Sequence, residues 1–504
     1  MEYTKSKLEY IAEDAAVAVR RNKNVLLPAM LFSAAAYMFV FTNKLLNLDE
    51  IAGLFGKGET LSSGRWALYL TSFIFPDYSM PWINGLLCVA MLSISAALIV
   101  SLLGIKDPVY QALFAGLFVT FPSQIITFSY MFTCAPYALA VLMAVLSVYF
   151  TIRNGKDGYI AGVILLCLSL GIYQAYITLS ASLYVVYFIR EALAGDKDVK
   201  SILKNGGRCI VSMLLSLALY FVINRLVMRF AVTEYNSYAS AAMNTDLKSM
   251  LKGLRVAFTA FFGYFYKGYY HLAPTELSML AHITAVIIAA AALAVRFFRD
   301  KGKNPAMKVL LPVLLAVFPI SVNCIYIISS QRHTLMLLGF TAVYALIMII
   351  AEAAGTKKVR AALGVCLALM LACNIFWSNS IYLKMKLEYE QAYGFYSTLI
   401  SRVKSTEGYD ADTMLIITGD ADEKNLLSRT DEIDTSDIVG LMEGLINIYS
   451  RYDFIKYYIG YDYNPIDWDG WAALDAQDEV ARMPVYPYDG SVKKIGDYMV
   501  VKLG

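Results

Sequence analysis

The sequence predicts a polytopic α-helical membrane protein with about eleven membrane-spanning helices, followed by a small extracytoplasmic α/β domain at the C-terminus. Hydrophobic residues make up 58% of the chain and charged residues only 16%, whereas a typical soluble domain carries about 25% charged residues. Apolar runs of about 20 residues recur along the chain, and each is long enough to cross a bilayer as a helix. Composition therefore indicates many spans rather than one large soluble core.

The apolar runs place the spans near residues 24–45, 82–104, 109–123, 128–151, 159–174, 175–194, 208–229, 275–296, 308–329, 333–353 and 361–382. The segment GIYQAY, at residues 171–176, lies between the fifth and the sixth. It is either a tight turn between two spans or part of one long tilted helix.

Basic residues predict which loops face the cytoplasm, because lysine and arginine concentrate on that side of a membrane. One alternating set of loops contains most of them, and the opposite short loop at 329–333 contains only Arg332. We therefore expect residues 1–23 to form a cytoplasmic amphipathic segment and residues 24–382 to form the membrane domain, with outward loops at 46–81 and 231–274. The basic loops contain Arg20, Arg21, Lys23, Lys106, Arg153, Lys156, Lys197, Lys200, Lys204, Arg208, Arg296, Arg299, Lys301, Lys303, Lys357, Lys358 and Arg360.

The region from 383 to 504 is predicted to be a separate extracytoplasmic domain. It contains 22 acidic and 12 basic residues, so its charge balance differs from that of the basic membrane domain. The runs MLIITGD (414–420) and YMVVKL (498–503) are typical of short strands, and the apolar spacing of residues 438–452 predicts a helix. Together these patterns indicate a small α/β domain.

Several classes of function are excluded by composition. The net charge is only +3, and no basic stripe is combined with aromatic stacking positions, so no nucleic acid is expected as a partner. The seven cysteines fall in apolar spans, and the three histidines are scattered. A zinc site is therefore not expected.

Asp49 and Glu50 lie side by side just beyond the first span, in the first outward loop. A carboxylate costs about 2.5–3.5 kcal/mol at the centre of a span, so a pair placed just outside one avoids most of that penalty. One interpretation is structural, with the pair ending a helix or lying in the first turn of the next one. The other is chemical, with the pair acting as a base and a metal ligand.

Five cationic or titratable side chains near the predicted outer ends of the spans are candidate ligands for a phosphate. Arginine and helix N-termini both favour anions, and the alternative for each residue is a contact with lipid head groups. Trp66, Tyr173 and Gln174 lie at the same level and are expected to line a cavity. The candidate phosphate ligands are Arg65, Arg332, His333, Arg225 and Lys267.

The sequence resembles the GtrII-type glucosyltransferases, which are integral membrane enzymes of bacterial surface-polysaccharide modification. The resemblance covers roughly residues 25–350 and depends on the Asp49 loop followed by SSGRW (62–66), on TFPSQIITFSYMFT (120–133) and on SLGIYQAYITLS (169–180). That family is similar to the GT-C glycosyltransferases. The resemblance implies a GT-C-like fold in the bacterial plasma membrane, an acidic residue in the first outward loop, and a polyprenyl-phosphate sugar as donor.

The expected reaction is transfer of a sugar, with glucose as the first expectation, to a cell-surface polysaccharide or glycopolymer on the outer side of the membrane, with inversion. In this scheme Asp49 is the base, and Glu50 is a helper or a ligand of Mg²⁺ or Mn²⁺. Arg65, Arg332 and His333 hold the departing phosphate. Two alternatives stay open: a transporter or flippase of lipid-linked saccharides, and a non-catalytic membrane protein whose outward domain binds the cell wall.

Overall fold

The computed structural model describes residues 17–55, 60–76, 78–231, 234–236, 246–267, 269–299, 305–410, 412–421, 432–435, 438, 440–441, 444–462 and 477–504. The chain divides into two compact units. We call the first, Met1–Lys44 with Lys57–Asn379, the membrane unit, and the other, Leu45–Gly56 with Ser380–Gly504, the second unit. Residues 1–16 of the predicted cytoplasmic segment lie outside the described residues.

The membrane unit is helical and confirms the predicted polytopic fold. Among the described residues, ten helices are long and apolar enough to cross a membrane, and Leu338–Ala354 is a shorter apolar segment at the predicted tenth span. The long helices are α1 (Lys23–Thr42), α4 (Pro81–Leu103), α5 (Pro108–Val119) with α6 (Pro122–Ser129), α7 (Met131–Arg153), α8 (Gly155–Ile172), α9 (Ile177–Ala194), α10 (Val199–Phe230), α12 (Glu276–Arg299), α13 (Pro305–Val322), α14 (Thr341–Ala354) and α15 (Lys357–Ser405), and the short helix α3 (Trp66–Thr71) precedes α4. The short helix α2 (Leu48–Ala52) and the residues of α15 from Ser380 onward belong to the second unit.

Local sequence signals set the ends of these helices. Proline is at the first helical position of α4, α5 and α6, where its missing N–H is one that a helix leaves unpaired in any case. The side chain of Asp107 accepts a hydrogen bond from the Val109 N–H at the start of α5. Gly104 ends α4 in the left-handed conformation, with φ of +65°, which glycine adopts without strain.

Close packing between the spans depends on small residues and buried hydroxyls. The Tyr37 hydroxyl donates to the Val119 carbonyl at 2.6 Å, and the Ser147 hydroxyl donates to the Gly162 carbonyl at 2.7 Å. A Cβ atom on Gly162 would lie 2.2 Å from the Thr151 hydroxyl. These contacts are typical of helix pairs in membranes, where van der Waals packing and hydrogen bonds hold the helices together.

The predicted outward loop 231–274 contains a helix that the sequence interpretation did not anticipate. Helix α11 spans Leu247–Lys267, and a single 3₁₀ turn follows at Tyr269–His271. Its four basic residues keep it below the hydropathy of a span, so it is absent from the candidate membrane spans of the described residues. The loop is therefore partly regular structure.

The second unit contains a three-stranded sheet of order β1–β3–β2, formed by β1 (Met414–Thr418), β2 (Val492–Ile495) and β3 (Tyr498–Lys502). Strands β1 and β3 are parallel and pair Met414 with Tyr498, whereas β2 and β3 are antiparallel. Both predicted strands are present. The predicted helix at 438–452 is not: in its described residues, helix begins only at Arg451, with α16 (Arg451–Phe454). Helix α17 (Asp478–Ala481) precedes β2.

Arg451 fixes the end of strand β1 in the second unit. Only 4% of this residue is exposed. Its guanidinium donates to the Ile417 carbonyl at 3.0 Å, to the Gly419 carbonyl at 2.8 Å and to the Asp420 carboxylate at 3.0 Å. The buried cation therefore satisfies backbone carbonyls where the parallel strand ends.

Replacing Arg451 with methionine should destabilise the second unit. The change leaves two carbonyls without a donor, and each unsatisfied buried group costs about 1–3 kcal/mol, so we expect a loss of about 3 kcal/mol in the free energy of unfolding. Thermal unfolding of the full chain in detergent would measure it. Arg482→Met is the matched control because the Arg482 side chain is 82% exposed. Equal effects of the two changes would contradict this role.

Candidate functional site

A tight turn at Ser62–Arg65 precedes α3 and sets the position of Arg65. The Gly64 N–H donates to the Leu61 carbonyl, and the Arg65 N–H donates to the Thr60 carbonyl. Gly64 has a φ of +72°, and a Cβ atom there would lie 2.9 Å from the Tyr220 hydroxyl. Only glycine fits this turn without strain.

The Gln174 side chain holds this turn from the other side. Its amide nitrogen donates to the carbonyls of Ser63 and Gly64 at 3.2 and 3.3 Å, and to the Tyr220 hydroxyl at 2.9 Å. The Tyr220 hydroxyl in turn donates to the Gly64 carbonyl at 3.0 Å. Because Gln174 begins a 3₁₀ turn that follows Ile172, GIYQAY is the tight turn of the two alternatives.

Arg65 lies against a pair of stacked tyrosines. Its Nη1 donates to the Tyr137 hydroxyl at 3.2 Å, and its guanidinium carbon is 5.4 Å from the centre of the Tyr173 ring. The two rings are stacked, with centroids 5.1 Å apart. A cation over an aromatic face is stabilised by the ring quadrupole, so the tyrosines both orient the guanidinium and stabilise its charge.

His333 lies within electrostatic reach of Arg65, although 268 positions separate the two in the sequence. The His333 residue is only 9% exposed. Burial, and secondly the positive charge of Arg65, lower the pKa of His333 to about 4. The imidazole is therefore neutral at pH 7. Among the described residues, its Nδ1 atom has no hydrogen-bond partner.

The segment FPSQ, at residues 121–124, contacts Thr334, the residue that follows His333. The Ser123 hydroxyl donates to the Thr334 carbonyl at 2.6 Å, and the Thr334 hydroxyl donates to the Tyr270 carbonyl at 3.1 Å. Gln124 is fully buried, and in the described part of the chain its Nε2 atom has no hydrogen-bond partner. The two segments in contact therefore each contain a buried nitrogen without a hydrogen-bond partner among the described residues. These nitrogens are His333 Nδ1 and Gln124 Nε2.

Arg332 and its neighbour His333 differ in burial. It is exposed, and its guanidinium carbon is 5.8 Å from the centre of the Tyr326 ring. The Tyr326 hydroxyl shares a hydrogen bond of 2.7 Å with the Tyr264 hydroxyl. Arg332 and His333 therefore lie in different environments, one exposed on an aromatic ring and one buried.

The remaining predicted residues of the membrane unit have separate positions. Trp66 is buried and packs against Gly171, where a Cβ atom would lie 2.7 Å from the indole ring. Arg225 lies on the exposed side of α10. Lys267 is exposed at the last position of α11.

Asp49 and Glu50 belong to the second unit, whereas the sequence interpretation assigned the whole loop 46–81 to the membrane domain. The Asn47 side chain accepts from the Asp49 N–H at 3.0 Å and so caps α2. Leu48 and Ile51 are buried in the hydrophobic core of the second unit, which explains the assignment.

The two adjacent carboxylates have different surroundings. Asp49 is exposed, but only 1% of Glu50 is. Burial first, and then the charge of Glu50, raise the pKa of Tyr458, which places Glu50 close to that hydroxyl. No group of three or more His, Cys, Asp or Glu side chains among the described residues is arranged to hold a metal ion.

Sequence reasoning missed Tyr137 and Tyr220. Both are tyrosines within apolar spans, where an aromatic residue is ordinarily a packing residue. A hydroxyl near the end of a span that needs a polar partner is the signal that would have identified them.

Comparison with known proteins identifies a related family. A family model described as "Glucosyl transferase GtrII" matches residues 38–351, which is more than half of the chain. The matched segment contains Arg65, Tyr137, Gln174, Tyr220 and His333. No curated protein and no solved structure matches the chain.

The buried neutral state of His333 predicts a dependence of stability on pH. The folded-state pKa of about 4 lies below the ordinary value of 6.5, so between these values the unfolded chain binds more protons than the folded one. Stability therefore falls as pH drops through this window, by about 2 kcal/mol at pH 5. Thermal unfolding in detergent at about pH 7.5 and about pH 5 would measure the loss, which His333→Gln should reduce. An unchanged pH dependence in the variant would contradict the prediction.

Proposed function

Because the chain belongs to the GtrII glucosyl transferase family, we propose that it transfers glucose from a polyprenyl-phosphate donor to a cell-surface polysaccharide or glycopolymer. Transfer takes place on the outer side of the bacterial plasma membrane and inverts the anomeric centre. The family assignment supports glycosyl transfer, and the many apolar helices support a multi-pass membrane protein. The donor, the acceptor and the side of the membrane are our inference.

The observation that carries the proposal is the arrangement of Arg65 and His333 in the membrane unit. A guanidinium on a tyrosine pair lies within electrostatic reach of a neutral imidazole, and one buried nitrogen of that imidazole has no hydrogen-bond partner in the described part of the chain. A phosphodiester oxygen is a suitable ligand for both groups, since arginine binds phosphate through several N–H donors. The arrangement therefore suits the phosphate of a lipid-linked sugar.

The proposed step exchanges one bond at the anomeric carbon. The acceptor hydroxyl oxygen forms a bond to that carbon while the bond from the carbon to the phosphate oxygen breaks. The electron pair leaves with the phosphate, which departs as an anion, and the proton of the acceptor hydroxyl passes to a base. Arg65 stabilises the charge that develops on the phosphate. Because that anion is a good leaving group, the step needs no strong general acid.

Asp49 is the proposed base, on the ground of the family resemblance and its exposed carboxylate. Glu50 is a weaker candidate for a direct role because it is buried beside Tyr458. A two-carboxylate site for Mg²⁺ or Mn²⁺ fits poorly with one exposed and one buried carboxylate. The proposed step therefore uses no metal.

Arg332, Arg225 and Lys267 are proposed as outer contacts for lipid phosphate rather than as the clamp itself. All three are exposed, so solvent screens their charges more than that of half-buried Arg65. The alternative function, a flippase of lipid-linked saccharides, would move the donor without breaking the glycosidic bond. Release of polyprenyl phosphate separates the two functions.

Asp49→Asn should abolish sugar transfer while expression and thermal stability are retained. The amide cannot accept the proton, and loss of a general base costs about 10²–10⁴-fold in rate. The assay is release of polyprenyl phosphate from a synthetic polyprenyl-phosphate glucose by purified protein in detergent. Asp478→Asn is the control, since that side chain is 94% exposed in the second unit. Full activity of the Asp49 variant would refute the assignment.

Gln174→Leu should weaken use of the donor through its effect on Arg65. The leucine removes the donor to the carbonyls of Ser63 and Gly64 and so loosens the turn that positions the guanidinium. We expect KM for the donor to rise about tenfold or more, because a 1 Å displacement in a site can cost about 10²-fold. Steady-state kinetics would measure the change.

Gln111→Leu is the matched control for Gln174→Leu, because the Gln111 amide also donates to a backbone carbonyl, that of Ile105. A rise in KM of the same size in both variants would show a general loss of stability instead. Arg65→Gln should reproduce the Gln174 effect and exceed it.

A further inference from the structure

Helix α11 contacts two neighbouring spans near their ends. The Phe261 ring contacts those of Phe318 and Phe340, and the Asn323 amide donates to the Ala257 carbonyl at 3.1 Å. Phe318 and Asn323 are at the end of α13, and Phe340 immediately precedes α14. These partners lie at or just beyond the ends of α13 and α14, and α11 is not among the candidate membrane spans of the described residues.

One face of α11 is closely packed against the 3₁₀ turn at Cys324–Ile327. A Cβ atom on Gly253 would lie 2.0 Å from the Tyr326 carbonyl oxygen, so only glycine fits this contact. Ala257 and Tyr264 are buried on the same face. This face therefore anchors the helix to the membrane unit.

A second face of α11 exposes large apolar side chains. They recur at the spacing of one helical face, and between 38% and 72% of each is exposed. In a soluble protein such a stripe would be a liability, but a helix at the end of membrane spans can bury it among lipid acyl chains. The stripe consists of Leu247, Leu251, Leu254, Phe258 and Phe262.

The edge beside this stripe is basic. Lys248, Lys252 and Arg255 are all exposed, and at 100° per residue they lie about 90° around the helix from the apolar stripe. At 1.5 Å per residue they extend over about 10 Å along the axis. One phosphate group is too small to contact three cations spread over that length, whereas several neighbouring lipid head groups can do so.

We propose that α11 is an interfacial helix that lies on the bilayer, with its apolar stripe among the acyl chains and its basic edge bound to the phosphates of anionic phospholipids. The spans of the same unit place a bilayer beside the helix, and the amphipathic pattern is the one that lies in the interface plane. Each basic residue near an anionic surface strengthens binding roughly fivefold.

Lipid bound at this edge also acts on the segment that holds Arg332 and His333. Helix α11 is joined to that segment through Tyr264 and Tyr326, whose hydroxyls share a hydrogen bond, and the Arg332 guanidinium lies over the Tyr326 ring. Anionic lipid therefore holds this segment in place and raises the transfer rate. This last effect rests on the proposed function, whereas lipid binding does not.

Native mass spectrometry of the full chain tests the binding. The protein is titrated with phosphatidylglycerol or with phosphatidylcholine, and the variant is Lys248→Gln/Lys252→Gln/Arg255→Gln. We expect retention of phosphatidylglycerol to fall at least tenfold and retention of phosphatidylcholine to stay unchanged. The swap Lys248→Arg/Lys252→Arg/Arg255→Lys should retain wild-type binding. Equal phosphatidylglycerol retention in the glutamine variant and the wild type would overturn the proposal.

A third titration, with polyprenyl phosphate in a neutral lipid background, identifies the source of the phosphate. The proposal expects the glutamine variant to retain this single lipid within about twofold of wild type. Selective loss of polyprenyl phosphate, with phosphatidylglycerol retained, would make the edge part of the donor site and overturn the proposal.

Spin labels test the position of the stripe without any activity assay. A label at Leu251→Cys should be accessible to oxygen and shielded from a water-soluble nickel chelate, and one at Asp478→Cys in the second unit should be accessible to the chelate. Chelate accessibility at Leu251 equal to that at Asp478 would overturn the bilayer contact. If the glutamine variant loses lipid binding but keeps its transfer activity, the proposed effect of lipid on the transfer rate is refuted and the lipid-binding proposal stands.

Discussion

The hydrogen bonds from the Gln174 amide to the Ser63 and Gly64 carbonyls set the position of Arg65, and the candidate site depends on that position. The turn cannot form a regular helix because Gly64 is in the left-handed region. Gly64 is buried, so its carbonyl needs a hydrogen-bond donor from the protein. Gln174 supplies one donor from the turn before α9, and Tyr220 supplies the other from α10. Arg65 is thus held by the helix bundle rather than by its own short loop.

The same constraint accounts for the other irregular segment of the membrane unit, the chain between α13 and α14. Ser123, Asn323 and Thr334 connect it to three neighbouring elements through side-chain to backbone hydrogen bonds. Gly253 allows α11 to approach its backbone closely. Both irregular segments carry a proposed phosphate ligand. In the membrane unit, the two proposed phosphate ligands, Arg65 and His333, therefore lie where regular helix is interrupted. In both places side chains satisfy the backbone groups that the helix leaves without partners.

The sequence predicted the spans well because the length and apolar character of a span are local properties. It also identified Arg65, Gln174 and His333 as polar residues at span ends, but not that Arg65 and His333 lie within electrostatic reach of each other, because their proximity depends on how distant helices pack. Helix α11 was not predicted, because its basic residues lower its mean hydropathy below that of a span. The sequence also failed to predict that Asp49 belongs to the second unit, and the reason is different. Leu46, Leu48 and Ile51 continue the apolar pattern of the first span, although they pack into a core that the sequence placed some 350 residues later.

Proximity makes the properties of Arg65 and His333 interdependent. A charged imidazole beside the guanidinium would repel it in a setting of low dielectric, so Arg65 helps to keep His333 neutral. A neutral imidazole donates through one ring nitrogen and accepts through the other, whereas an imidazolium would donate through both and add a second positive charge beside Arg65. Removing Arg65 therefore raises the pKa of His333, which burial still keeps below its ordinary value, and also removes the contact to phosphate. The effects of substituting the two residues should not add, and their coupling free energy measures how far they act as one group.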